Sequence, residues 1–477
     1  MFVCLSKNSF VRILDNGKIG YIRNQLNNTD CMFNETGADF LKEIDRTPKE
    51  FSEILDKVKA LYDIDNYVEI ENDLREFIYN LSSQGYLIVG DSPNLSILDT
   101  EFSYSVKTPK TVAYQYSNDN QEGHTTQNLL SNNFLGNPFL WSIQIEVTGK
   151  CNERCRHCYI PNSFKDKGKD MPFEQFRKIV DEFAQMGGLH ITITGGEALL
   201  HKDIIDMLNY CRSKDLEITL LSNLISLSDD VIVALRKTNV NMVNVSLYSI
   251  DNDIHDYITK VKGSCEKTKA AIELLVKNNI PVQISCPVLK SNKNDVASVI
   301  NYAKRLKTKA SIDYNIVAQK DLKRENLDNR LSLEEIRTVI EQIVKNRSDY
   351  VRFLDETPLD SDKSNPEERP CGAAYSTLNI TSDGEVNPCS TWGISLGNVF
   401  KSSLSDIWNN TEKVNEIRRI SFANFPKCQK CEYADYCMTC MAKNYTENGD
   451  SMKLNTYFCE VARINKEVVD KWKENGL

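Results

Sequence analysis

The chain is short of the residues that break or loosen structure. Gly occurs 20 times and Pro 13 times in 477 residues, too few for a collagen-like chain or a Pro/Gly-rich disordered one. No internal repeat or low-complexity tract is evident, which removes solenoids and propellers. A basic excess is also missing: 58 Lys and Arg face 67 Asp and Glu, for a net charge of −9. Nucleic-acid surfaces carry a positive footprint, so no nucleic-acid partner is expected. Long hydrophobic runs are lacking too. The opening "MFVCLSKNSFVRIL" has its apolar stretch interrupted by Lys7 and Arg12, unlike a signal peptide or a membrane span. The expectation is a cytoplasmic chain with no stable membrane association. With 41% hydrophobic and 26% charged residues, the composition is globular, and the length allows several cores.

One residue is in excess. Cysteine occurs 15 times and is clustered, with three between 151 and 158 and seven between 371 and 459. Disulfide frameworks belong to small secreted domains. Clustered cysteines in a large cytoplasmic chain point to metal or redox chemistry instead.

The pattern of apolar residues divides the chain into three regions and a linker. Residues 1–92 begin with short alternating segments, "FVRIL", "IGYIRN" and "CMFN", which read as strands. Three helices follow. The first carries Phe40, Leu41 and Ile44. Thr47-Pro48-Lys49-Glu50 reads as a capping box ahead of Phe51, Ile54, Leu55 and Val58. The third carries Leu74, Phe77, Ile78 and Leu81, and "QGYLIV" then enters a strand. The expectation is a small winged-helix-like module. Residues 93–137 are polar and aperiodic and read as an exposed linker.

Residues 138–348 alternate strand and helix. The strand candidates are "SIQIEV" (142–147), "LHITIT" (189–194), "LEITLL" (216–221), "MVNVSL" (242–247), "PVQISC" (281–286) and "SIDYNIV" (311–317). Helical patterns between them include Phe173, Phe176, Val180 and Phe183, then Ala271, Leu274 and Leu275. A capping box at Ser332 to Glu335 starts a sixth helix. Six βα units imply a parallel sheet, open or curled into a partial barrel. Active sites on such sheets gather at the carboxyl ends of the strands, where the first cysteine cluster falls. Residues 349–477 hold the other seven clustered cysteines.

Cys151, Cys155 and Cys158 are spaced C-x3-C-x2-C in a segment that reads as a loop. Buried structural cysteines need no such spacing, and a zinc site wants a fourth ligand. His157 sits awkwardly between two of the cysteines. Three thiolates on a four-iron cube leave one iron without a protein ligand, and an open position admits a substrate or cosubstrate.

This motif, after the first strand of a six-fold βα domain, resembles the radical S-adenosylmethionine enzymes. In that family S-adenosylmethionine chelates the fourth iron, and its reductive cleavage gives a 5′-deoxyadenosyl radical. "TGGEA", with Gly195, Gly196 and Glu197, resembles the family motif for the methionine amino group. The resemblance implies that the glycines allow close backbone approach and that Glu197 helps hold the ammonium. Ala198 stands where the family usually has Pro. Ser222 and Asn223 resemble a polar contact near the nucleoside, and Ser246 a further contact to the cosubstrate.

The later cysteines run Cys371-x12-Gly384-x4-Cys389, then Cys428-x2-Cys431-x5-Cys437-x2-Cys440, then Cys459. A zinc ribbon is the rival, but its two knuckles are normally further apart. The pattern resembles the SPASM extension of peptide-modifying radical enzymes, with two auxiliary four-iron clusters. Its two-residue last spacer resembles thioether-forming members, which make sactipeptides and ranthipeptides. The resemblance implies that Cys428, Cys431, Cys437 and Cys459 ligate a distal cluster. Cys371, Cys389 and Cys440 would hold a proximal one with an open iron. Cys4, Cys31, Cys211, Cys265 and Cys286 fall outside these patterns and read as small buried hydrophobes. Residues 1–92 resemble the peptide-recognition element of such maturases. A generic winged helix could bind DNA, but Glu50, Glu53, Asp56, Asp63, Asp65, Glu69, Glu71 and Asp73 disfavour that.

The implied fold is α/β: a partial (β/α)6 TIM-like barrel with an N-terminal winged-helix-like peptide-recognition domain and a C-terminal iron–sulfur domain. The implied cofactors are S-adenosylmethionine and three four-iron clusters. The implied partners are a precursor peptide with a leader and a one-electron reductant of the flavodoxin or ferredoxin type. The expected reaction is thioether crosslinking. The alternatives are carbon–carbon crosslinking, epimerisation, oxidative decarboxylation, or a non-enzymatic electron carrier or sensor.

Overall fold

The computed structural model describes residues 1–27, 29–62, 67–100, 137–347 and 363–474. Most of the expected linker, residues 101–136, lies outside the described residues, as do Asp63 and Asp65 of the acidic run. Two compact units emerge, Met1–Pro138 and Phe139–Leu477.

The first unit contains two small sheets. Strands β2 (Ser9–Leu14), β3 (Ile19–Asn24) and β4 (Thr29–Phe33) form an antiparallel meander over the three expected segments. A second sheet was not legible in the sequence. Here β1 (Phe2–Leu5) lies between β5 (Lys49–Glu50) and β6 (Leu87–Gly90). This corrects the expected capping box. Lys49 and Glu50 pair with Val3 and Phe2 as a short strand, so the helix begins at Phe51 with no side-chain cap. Tertiary strand pairing has overridden the local helix-start signal. The helices at 35–42, 51–59 and 67–83 bury Phe40, Leu41, Ile54, Val58, Leu74 and Ile78 in one core with Val3, Ile22 and Tyr86.

The second unit is built on a nine-stranded sheet. Its parallel strands are β7 (Ser142–Thr148), β8 (His190–Gly195), β9 (Glu217–Ser222), β10 (Met242–Ser246), β11 (Val282–Pro287) and β12 (Lys309–Asp313), adjacent in chain order. Helices at 173–185, 204–213, 229–237, 264–277 and 296–305 connect them. One stripe of each of the first four strands is apolar and buried: Ile143, Ile145 and Val147, then Ile191 and Ile193, then Ile218 and Leu220, then Val243 and Val245. The alternate positions, including Gln144, Glu146, Thr192 and Thr194, point to the opposite face. Leu274 does not share the core of its helix and is 38% exposed.

Two features differ from expectation. The sixth strand starts at Lys309, ahead of the apolar run. Tyr314 and Ile316, read as part of it, lie past its end and are buried there. The sheet also continues into the cysteine-rich region. Strand β13 (Thr377–Ile380) pairs in parallel with β7, and β14 (Glu385–Asn387) and β15 (Gly397–Asn398) follow antiparallel. The capping box at Ser332 is present, with Ser332 Oγ accepting from Glu335 N–H and Glu335 accepting from Ser332 N–H at 2.8 Å. The helix it starts, Leu333–Asn346, packs against the terminal helix Thr456–Glu474 through Ile336, Ile340, Ile343, Val461, Ile464 and Val468. Asn465 of the terminal helix also donates to Tyr436 O at 3.4 Å, which ties the helix that carries Cys459 to the segment before Cys437. Among the described residues no helix is long and apolar enough to cross a membrane.

Candidate active site

The first cysteines occupy the loop after β7, at the carboxyl ends of the parallel strands. Backbone hydrogen bonds pin this loop. Arg154 N–H donates to Thr259 O, and Arg156 N–H to Ile258 O, both at 3.0 Å. From the β8 side, Gly196 N–H donates to Thr148 O and Glu197 N–H to Lys150 O, both at 2.8 Å. A Cβ on Gly196 would stand 2.3 Å from Lys150 O and 2.9 Å from Cys151 Cβ. One on Gly195 would stand 2.4 Å from Thr148 O. The two glycines therefore admit the backbone of the cysteine loop itself.

Glu197 is 2% exposed and joins two strand ends. It accepts from Ser222 Oγ at 2.6 Å, Asn223 N–H at 2.7 Å and Leu199 N–H at 3.0 Å. Burial pushes its carboxyl up, and these three bonds oppose that rise. A carboxylate has about four acceptor positions, so little of Glu197 is left for a ligand ammonium. Asn223 Nδ2 donates to Asn152 Oδ1 at 2.7 Å, reaching into the cysteine loop. Glu197, Ser222 and Asn223 thus converge beside Cys151. Ser246 ends the neighbouring strand β10, where Val245 pairs with Ser222, and it hydrogen-bonds the Tyr248 hydroxyl.

The three thiols sit in a charged, half-sealed environment. Burial pushes Cys151 up to about 11. Cys155 is likewise raised, by burial and then by Glu153 and Cys158. The Cys155 thiol donates to Glu153 Oε2 at 3.1 Å, and its sulfur lies 3.6 Å from Tyr248 Oη. Burial also pushes Glu153 up to about 7. Lys165 is 4% exposed. Burial works against its charge, but Cys158, Cys151 and Cys155 outweigh it and hold the ammonium above its usual range. Glu153, Lys165 and Tyr248 carried no signal of their own in the sequence. Only the fold brings them to the thiols.

The later cysteines separate into two groups. Cys371 is exposed as a residue, yet its sulfur is crowded. Burial and then Cys440 and Cys389 push it up to about 12. Burial and then Cys440 push Cys389 up to about 11. Cys459 is pushed up to about 11 by burial and then by Cys437, Cys428 and Cys431. The structure therefore brings Cys371, Cys389 and Cys440 together, and separately Cys428, Cys431, Cys437 and Cys459. Buried Lys363 donates to the carbonyls of Ala434 and Cys437 beside the second group. Cys4, Cys211, Cys265 and Cys286 are buried and Cys31 is half-buried.

Tyr159 connects the first set to the Cys389 group. It directly follows Cys158, is half-buried, and hydrogen-bonds Ser390 beside Cys389. Its carbonyl accepts from Lys320 N–H at 2.9 Å. Lys320 Nζ in turn meets Glu146 Oε1 at 2.7 Å, and Asn379 Nδ2 donates to the same oxygen at 3.1 Å. A cavity of about 760 Å³ opens elsewhere, between β12 and the terminal helix, lined by Lys309, Ile312, Tyr436, Cys437 and Phe458. Its lining includes none of the first cysteine set, so it does not mark the strand-end chemistry.

Among the described residues no three His, Cys, Asp or Glu side chains converge as ligands of a single metal ion would. A four-iron cube differs, because each thiolate binds its own corner iron and the ligands surround a volume. The all-thiol donor sets, the close glycine cradle and the buried Lys165 cation suit such a cube.

The sequence profile of the radical SAM superfamily matches residues 145–303. The chain carries a radical SAM domain. Within this radical SAM protein, residues 371–432 match SPASM, an iron–sulfur cluster-binding domain, and residues 26–87 match coenzyme PQQ synthesis protein D. A radical SAM domain binds S-adenosylmethionine and a four-iron cluster, and a SPASM domain binds auxiliary iron–sulfur clusters. The protein is 28% identical over 289 residues to the antilisterial bacteriocin subtilosin biosynthesis protein AlbA of Bacillus subtilis. That alignment covers 60% of this chain and 62% of AlbA, so the chain spans less than two thirds of that relative. It is 23% identical over 283 residues to a PqqA peptide cyclase of Rhizobium meliloti, covering 57% of this chain and 74% of the cyclase. Among solved structures, Streptococcus suis SuiB bound to precursor peptide SuiA superposes with a TM-score of 0.61 over 96% of this chain and 99% of SuiB. At 16% identity that likeness is one of fold.

Proposed function

We propose that this radical SAM protein matures a ribosomally made peptide by joining a Cys sulfur of the precursor to a peptide carbon as a thioether. The observation that carries the reading is the partition of ten cysteines into sets of three, three and four, each gathered at one place. The likeness to a subtilosin biosynthesis protein supports the choice of product. In this reading Cys151, Cys155 and Cys158 hold the radical SAM cluster. Cys428, Cys431, Cys437 and Cys459 fill a distal auxiliary cluster. Cys371, Cys389 and Cys440 leave one position of a proximal cluster for the substrate thiol. When bound, these groups and S-adenosylmethionine supply a 5′-deoxyadenosyl radical and an acceptor for a further electron.

The chain's own residues do the rest. Glu197 fastens the ends of β8 and β9 under the cysteine loop through Leu199, Ser222 and Asn223. Lys165 balances the charge of the thiolates it faces. Tyr159 and the buried Lys320–Glu146 pair connect the first set to the Cys389 group, which fixes the gap a substrate must bridge. Residues 1–92 take the leader of the precursor, and a flavodoxin- or ferredoxin-type protein delivers electrons. Free thiols and iron–sulfur assembly call for a reducing compartment, so we place the protein in the cytoplasm. In the net reaction one C–H and one S–H bond of the precursor break and one C–S bond forms. One hydrogen leaves as an atom, and the other as a proton with its electron passed on.

The test uses anaerobically reconstituted protein, reductant, S-adenosylmethionine and a candidate cysteine-rich precursor peptide. The expected result is 5′-deoxyadenosine and a peptide lighter by two hydrogens per crosslink, with one thiol no longer alkylated by iodoacetamide. The similarity to a PqqA peptide cyclase favours a carbon–carbon crosslink as the second reading. That product also loses two hydrogens but keeps every thiol. An unchanged peptide mass rules out both.

A further inference from the structure

Tyr248 has no part in the reading above, yet the fold holds it more firmly than packing alone requires. It is 4% exposed. Its ring stacks on His255 at 5.2 Å and meets His157 edge-on at 4.8 Å. Its backbone N–H donates to His255 Nδ1 at 3.2 Å, and its carbonyl accepts from Asn292 Nδ2 at 2.7 Å. All of this aims one polar atom. The hydroxyl lies 3.6 Å from Cys155 Sγ and is also hydrogen-bonded by Ser246.

We propose that Tyr248 is a positioning residue that donates a hydrogen bond to the Cys155 sulfur and thereby sets the reduction potential of the cluster held there. A metal-bound cysteine is a thiolate and has no proton to give. In the Tyr248–Cys155 pair the hydroxyl is then the only donor. Hydrogen bonds to the ligating sulfurs are one of the levers that set an iron–sulfur potential. A donated bond draws charge off the thiolate, favours the more negative reduced state, and raises the potential. Ser246 bonds the same hydroxyl, so the strand end that carries it is coupled to Cys155 through one side chain.

The inference rests on Cys155 being a cluster ligand, and the experiment separates the two claims. The probe is reconstituted full-length protein, titrated anaerobically. Its reduced cluster is followed by EPR in the component that S-adenosylmethionine perturbs. Tyr248→Phe keeps the ring and removes the hydroxyl. Iron content should match the parent, and the midpoint should move to more negative potential. A tenfold change in the reduced-to-oxidised ratio at fixed potential corresponds to 59 mV for a one-electron couple. An unchanged midpoint with full iron overturns the proposal. A perturbable signal that survives in Cys155→Ala overturns the ligand assignment beneath it. If Tyr248→Phe fails to hold iron, 3-fluorotyrosine in place of Tyr248 decides. Its more acidic hydroxyl should shift the midpoint upward, and no shift overturns the proposal.

Discussion

Replacing Gly196 with Ala tests the placement of the cysteine loop most directly. A Cβ there would lie 2.3 Å from Lys150 O and 2.7 Å from Lys150 C. Ordinary contact begins near 3.4 Å, so the loop must retreat by about 1 Å. The obstructing atoms are backbone, and no side-chain rotation relieves them. Overpacking of this kind costs about 1–3 kcal/mol. Gly263→Ala is the control. It has open space on every side but a φ of +78°, which costs an Ala about 1–2 kcal/mol. The two variants should therefore lose similar stability in urea unfolding of the metal-free protein. They should differ in metal binding. Cys151 directly follows Lys150, and a ligand moved by about 1 Å exceeds the roughly 0.2 Å tolerance of metal–ligand distances. Iron retention against a chelator should fall about tenfold or more in Gly196→Ala, the range seen when supporting residues are lost, and stay at the parent level in Gly263→Ala. Equal retention in both variants would refute the claim that the glycine seats the cysteine loop.

Replacing Cys151, Cys155 and Cys158 together with Ala should abolish 5′-deoxyadenosine formation, measured by chromatography. Cys371→Ala should instead spare cosubstrate cleavage more than peptide product, and equal loss of both would count against a separate role for that set. Lys165→Met removes the cation facing three thiolates and should weaken iron binding about 10–100-fold, while Lys165→Arg should restore much of it. In metal-free protein the buried thiols stay protonated when folded but ionise near 9.0 when unfolded. Their contribution to stability is full below that pH and lost between about 9 and 11, because the folded state then binds more protons. The urea midpoint should fall as pH rises through that window, and fall less in Cys151→Ser.

The parallel strands were legible because their apolar runs are buried on the sheet and separated by regular helices. The capping box at Ser332 was legible because both of its bonds are local. The apparent box at Thr47 failed for the opposite reason. Lys49 and Glu50 find partners in Val3 and Phe2, far away in the chain, and pairing there wins over a local cap. The sixth strand was misplaced because Tyr314 and Ile316 are apolar for packing beyond the strand, while the edge strand itself alternates only weakly.

The sequence by itself determined the cysteine spacings and the order of strand and helix, since both are written in neighbouring residues. It also placed Gly195, Gly196 and Glu197 at the end of the second strand. Only the tertiary structure decided what those residues touch. It turned Glu197 inward onto Ser222 and Asn223 and pressed Gly196 against the cysteine loop. It also gathered Cys371 with Cys440 and brought Lys165 and Tyr248 to the thiols. A buried charge or hydroxyl acquires its partner from other strands and loops, and such a partner has no signature in local spacing.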